Sequence, residues 1–155
     1  MKRAFLWLAL IHVLTSLVGL GSVYLALASF GGGSDSAFMA LCMLLLWFVG
    51  GLLAARKLRF GVGFAAAAAA FWAALMYLLE LAAGNYWFTV PQYITGIGLA
   101  YLLPVDQYSA WFFEVLKPAM AVAAHILLPL FFTLGIFVRK LYEKNKENLL
   151  RRSIL

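Results

Sequence analysis

Residues 37–83 read AFMALCMLLLWFVGGLLAARKLRFGVGFAAAAAAFWAALMYLLELAA, and this stretch decides the fold. Two apolar runs flank one basic loop, Arg56-Lys57-Leu58-Arg59. Each run is close to the about 20 residues that a helix needs to cross a bilayer. The pattern is a pair of membrane helices joined on the side that retains positive charge.

Eleven of the twelve Lys and Arg residues fall in three places, of which this loop is one. The others are Lys2 with Arg3, and the tail carrying Arg139, Lys140, Lys144, Lys146, Arg151 and Arg152. The positive-inside bias puts all three clusters in the cytoplasm, so an even number of crossings separates each from the next. Four is the simplest total. The expected spans are 4–30, 37–55, 61–83 and 118–138, with both termini cytoplasmic and the cell membrane as the expected location. The fold class is an all-α polytopic membrane protein with a partly helical, aromatic-rich outer loop.

Only 12% of residues are charged, against about 25% in a soluble domain, so all 155 residues form a single membrane domain. A net charge of +6 raises the question of nucleic acid. The basic residues flank apolar spans instead of striping a soluble surface, which argues for no nucleic acid. Arg56, Lys57, Arg59, Arg139 and Lys140 are expected to face anionic inner-leaflet lipid, at about 1 kcal/mol each near the surface. The lone Cys42 excludes an internal disulfide and sits in an apolar run as a packing residue. Residues 1–28 imitate a signal peptide, but the apolar stretch is about twice a normal h-region, so a retained helix is expected.

Residues 85–117 carry nine aromatics, too many for a structureless loop in a compact domain. Residues 89–105 are apolar enough to tempt a fifth crossing, which would send the basic tail outside. Two short helices at the outer interface, or folded over the bundle mouth, are expected instead. One follows Pro91, which suits a first helical turn. The other is capped by Asp106 and presents Tyr108, Trp111, Phe112, Val115 and Leu116 as one apolar stripe. Residues 139–155 continue the last helix as a basic cytoplasmic tail. There is no internal repeat.

Ionisable groups inside a bilayer are expensive, so His12, Glu80 and His125 are the candidate functional residues. His12 shares a small, polar helix face with Thr15, Ser16, Gly19, Ser22 and Ala26, opposite a lipid-facing side of Leu6, Trp7, Leu10, Leu14, Leu17 and Val18. That face should turn into the bundle. His125 lies four residues before Pro129, which withholds the N–H that would meet the carbonyl of residue 125. Two histidines on the first and last spans suit the axial positions of one haem b, with Gly19 leaving room for a porphyrin edge. Depth opposes this: His12 is about 14 Å along its helix from Arg3, and His125 about 21 Å from Arg139. Glu80 shares a face with Ala66, Ala69, Ala73, Met76 and Ala83. It is expected either as a protonatable coupling residue or as an end-cap meeting a donor from the outer loop, such as Asn85.

Catalytic motifs are absent from the sequence: there is no metal-ligand spacing and no phosphate loop, and no serine is paired with a base. Three function classes fit, in this order. The first is an accessory subunit of a larger membrane complex or a homo-oligomer, docking through small-residue and aromatic faces. The second is a haem- or quinone-binding redox protein using His12 and His125. The third is a small transporter or pore using Glu80, with Thr15 and Ser16 as further buried polar groups.

Overall fold

The computed structural model describes residues 2–29, 33–56, 61–84, 89–103 and 109–153. Several expected features lie outside these residues: the turn at Gly31-Gly32, Lys57 and Arg59, Asn85, the Tyr86-Trp87-Phe88 cluster, and Asp106 with Tyr108. Among the described residues there is no strand. The elements are α1 (Lys2–Ser29), α2 (Gly33–Ala55), α3 (Val62–Ala83), α4 (Val90–Ala100), a π-helical turn (Phe112–Leu116) and α5 (Lys117–Ser153). Among the described residues, four helical stretches are long and apolar enough to cross a membrane: Arg3–Gly21, Ala37–Ala55, Val62–Ala83 and Glu114–Leu150. α4 is not among them. Its 11 residues rise only about 16 Å.

α1 turns its expected face inward, except that Trp7, expected on the lipid side, packs against the core. Ala4, Leu8, Ile11, His12 and Thr15 are buried, whereas Leu6, Leu10, Val13, Leu14 and Leu17 are exposed. The core also takes Met43 and Trp47 from α2 and Leu128, Phe132 and Ile136 from α5. α2 and α5 cross backbone to backbone. A Cβ on Gly51 would collide with the Phe132 carbonyl oxygen, and one on Gly135 with that of Phe48. Small residues at a crossing let dispersion contacts accumulate over the whole length of two helices.

α3 is the outlying helix, packed on α5 and more lightly on α1. Its run of alanines makes a good helix with little side-chain bulk. It begins after Gly61 in extended conformation and stops at Gly84, whose φ of 63° only glycine adopts cheaply. The Gly84 N–H caps the carbonyl of Glu80 at 2.9 Å. Ala65, Ala68, Ala69, Ala73 and Met76 face inward, while Phe71, Leu78 and Leu81 point out.

α4 starts on Pro91, as its sequence suggests, and is wedged chiefly between α2 and α5. Its buried positions are Pro91, Gln92, Thr95, Gly96, Gly98 and Ala100. So this half of the aromatic-rich stretch belongs to the bundle, where glycine and threonine let it sit close to its neighbours. The other half leaves Trp111 and Val115 exposed. It leads through the π turn into α5. Pro118 cannot donate to the carbonyl of Glu114, which accounts for a widened turn just before the proline.

Candidate functional site

α3 and α5 diverge around a lateral groove of ≈ 500 Å³. The floor and one wall are alanine methyls of α3, including Ala66, Ala70 and Ala74. The other wall is α5, with Val122, His125, Ile126, Pro129, Leu130 and Thr133. The groove exists because α3 presents only methyls to it from Ala66 to Ala74, about two turns, before Tyr77. Pro129 removes one backbone donor from the facing helix, and the Thr133 hydroxyl donates to the Pro129 carbonyl at 2.9 Å. The outer rim is apolar and exposed: Val122 by 51%, Ile126 by 69% and Leu130 by 55%.

His125 lines this groove, and Glu80 lies behind it, outside the lining. His125 Nε2 lies 3.3 Å from Glu80 Oε2, with the side chains only 9% and 17% exposed. The approach is electrostatic, without the alignment of a good hydrogen bond. Tyr77 stands edge-on to the imidazole, with ring centroids 5.4 Å apart and planes at 79°. The structure brings Glu80 to His125 across two helices, one turn of α3 beyond Tyr77, while Asn85, the outer-loop donor expected for it, lies outside the described residues.

His12 occupies a different place. It lines a crevice of ≈ 310 Å³ between α1 and α3, with Ser16, Trp72 and Met76. Its ring meets Trp47 and Trp72 edge to face, at 6.2 and 5.8 Å between centroids. Trp72 and Met76 lie on one side of α3, and Ala70, Ala74 and Tyr77 on the other, so α3 separates this crevice from the His125 groove. The structure therefore does not bring His12 and His125 together as axial ligands of one haem. The space that Gly19 leaves is filled by Ile94 of α4, to which a Cβ on Gly19 would come within 2.6 Å, and by Val90 and Met43.

Thr15 and Ser16 serve their own helix. The Thr15 hydroxyl reaches the carbonyls of Ile11 at 2.8 Å and His12 at 3.1 Å, and accepts from Trp47 Nε1 at 3.3 Å. Ser16 donates to the His12 carbonyl at 2.8 Å. Among the expected lipid-facing cations, Arg56 is exposed at the end of α2. Arg139 pairs with Glu143 at 2.7 Å and lies over the Tyr142 ring. Lys140 is half-buried.

Three residues of consequence were not singled out by the sequence pattern. Trp47 is fully buried and touches His12, Thr15 and Phe132. Tyr77 flanks the ion pair. Gln92 on α4 is fully buried, and neither of its amide atoms has a hydrogen-bond partner among the described residues. Tyr77 was within reach: it lies three residues before Glu80, so the two share one helix face.

No group of three or more His, Cys, Asp or Glu side chains among the described residues could hold a metal ion. The arrangement offers an apolar binding surface with His125 in its lining. Comparison with protein-family models, with curated proteins and with solved structures returned no match to this chain.

Proposed function

We propose that this chain is a small membrane-embedded binding protein whose α3–α5 groove takes one long, apolar guest directly from the bilayer. The single observation behind this reading is the groove itself, apolar along its length, with His125 in its lining. Its ≈ 500 Å³ falls within the about 300–1,000 Å³ of small-molecule sites. The rim of Val122, Ile126 and Leu130 belongs to the apolar surface that four membrane-crossing helices would give to lipid. A guest therefore enters sideways from the membrane, not from water. The three basic clusters orient the bundle with both termini in the cytoplasm of a cell membrane.

The test is native mass spectrometry of the detergent-purified chain, with extraction and identification of whatever copurifies. Wild type should carry one bound amphiphile in substoichiometric to stoichiometric amount. Ala70→Phe and Ala74→Phe fill the groove from exposed positions and should remove it without unfolding the protein. Equal lipid content in wild type and both variants would count against the reading.

A second reading, an accessory subunit of a larger complex, draws on α5. That helix continues past Arg139 to Ser153 with Leu141, Tyr142, Leu149 and Leu150 exposed. Membrane-surface contact or a partner subunit would cover them. Truncation after Glu143 separates this reading from the first, since it should release a partner and leave the groove loaded.

A further inference from the structure

We infer that the part of α5 beyond Arg139 is a docking helix for an acidic helical segment of another polypeptide. This rests on the second reading above, to whose partner it gives a chemistry, and is independent of the groove. The first observation is that this part of α5 stands alone. α2 and α5 cross at Gly51 and Gly135, and successive membrane crossings alternate in direction, so these two helices run the same way. The candidate crossing in α2 ends at Ala55, four residues past Gly51, and four residues past Gly135 is Arg139. α5 therefore outruns α2 by residues 140–153, about 21 Å of helix. Every residue from Leu141 to Leu150 is exposed except the half-buried Glu143.

The second observation is the pattern on this helix. At about 100° per residue, Leu141, Tyr142, Asn145 and Leu149 fall within about 60° of one line, which prolongs the exposed Leu134 and Val138 of the span. Lys146 and Arg139 border the stripe on one side and Lys144 on the other, with Glu147 opposite. Glu143 is taken up by Arg139 at 2.7 Å. Residues along the borders of a helix pair set partner choice, so this stripe matches one bordered by Asp and Glu. A second copy fits worse, because two α5 helices inserted the same way would bring their lysine borders together. Lipid is out of reach. The headgroup layer adds only about 5–8 Å to each side of the hydrocarbon core, and Leu149 lies about 15 Å past Arg139. No Pro or Gly follows Gly135, and the helix is unbroken to Ser153, so nothing turns it back onto the bilayer.

The experiment uses the full chain in zwitterionic lipid discs and two labelled helical peptides. The peptides are twins with a leucine stripe, bordered on both sides by glutamate in one and by lysine in the other. Fluorescence anisotropy should show saturable binding of the glutamate peptide at low ionic strength. The lysine peptide should bind weaker by about tenfold or more, with the difference shrinking at high salt. Leu149→Ser and Tyr142→Ser, both at exposed positions, should each weaken the glutamate peptide by about tenfold. Lys144→Glu combined with Lys146→Glu should reverse the preference. Leu149→Cys in a Cys42→Ala background, carrying an environment-sensitive dye, should report water with or without phosphatidylglycerol in the disc. Adding the glutamate peptide should turn that signal apolar.

Equal affinity for the two peptides, unmoved by the double charge reversal, would overturn the acidic partner and leave a docking helix of other chemistry. An apolar signal that appears with phosphatidylglycerol alone would overturn it in favour of the membrane surface. A disulfide dimer of Leu149→Cys in liposomes would overturn it in favour of a second copy. If neither peptide binds and the dye reports water throughout, the accessory reading of this helix falls as well, while the groove reading is untouched.

Discussion

Glu80 and His125 face each other 3.3 Å apart from different helices, nearly shut off from their surroundings. A buried pair of this kind is held less by net attraction than by what happens when one member is lost. Removing one partner strands the other in a low-dielectric interior, at about 3–5 kcal/mol, whereas replacing both by apolar residues is often nearly neutral. Glu80→Leu and His125→Leu should therefore each destabilise the protein. The double exchange should recover most of that loss. Unfolding in mixed detergent micelles, followed by tryptophan fluorescence, gives the three values. Additive losses in the double variant would mean that the two residues do not act on each other. The sequence offered each residue separately, because an intramembrane ionisable group is conspicuous. It did not offer the pair. Counting along the helices sets Glu80 21 residues from Arg59 and His125 only 14 from Arg139, a difference in depth of about 10 Å. The count assumes that basic residues mark one plane. Arg139 pairs with Glu143 inside a helix that continues unbroken to Ser153, so the helix itself carries no mark of that plane.

Helix pairing obeys a different rule, set by small residues more than by polar ones. Where α2 crosses α5, Gly51 and Gly135 each stand against a carbonyl oxygen of the other helix. Backbone cannot rotate away as a side chain can. Gly135→Ala and Gly51→Ala should each destabilise the bundle by about 1–3 kcal/mol, the range for overpacking, despite the better helix propensity of alanine. Gly63 on α3 is the control, since a Cβ there meets nothing within 4 Å. Its change to alanine should be neutral or stabilising by up to about 1 kcal/mol. Similar behaviour at positions 63 and 135 would contradict the close crossing. α4 makes the opposite prediction. Gln92 has an enclosed amide with neither atom bonded, which costs about 1–3 kcal/mol in a folded state. Gln92→Met keeps the length and removes the polar atoms, so the melting temperature in detergent should rise. A fall would mean that the amide is satisfied by water or a polar guest. Helix faces were legible for α1, where bulky and small residues segregate. They were not legible for α4, because Thr, Gln and Gly resemble an exposed segment until neighbouring helices enclose them.

The bundle as a whole combines a tight half and a loose half. α1, α2 and α5 share a core around Met43, Trp47 and Phe132, to which α3 contributes only the methyls of Ala65, Ala68 and Ala69. That asymmetry leaves a groove on the α5 side of α3 and a crevice on the α1 side. It could not be foreseen from apolar runs, which give the number of long helices but not which of them stands apart. The number itself follows from length and charge, and orientation follows from charge alone. Both can be tested on one set of cysteine variants in a Cys42→Ala background. Asn148→Cys lies on the exposed distal part of α5, and Ala110→Cys is exposed just ahead of the π turn. Four crossings with cytoplasmic termini require the two to lie on opposite sides. A membrane-impermeant maleimide added to intact cells should label Ala110→Cys at once and Asn148→Cys only after lysis. A fifth crossing through residues 89–105 would reverse both, leaving Ala110→Cys protected and Asn148→Cys labelled in intact cells. Arg56→Cys, exposed at the end of α2, separates the two causes of reversal: protected, it means the fifth crossing; labelled in intact cells, it keeps four crossings and overturns the charge rule, placing Arg139 and the other basic residues outside. The expected pattern keeps them against the anionic inner leaflet, where about 1 kcal/mol each opposes inversion of the whole bundle.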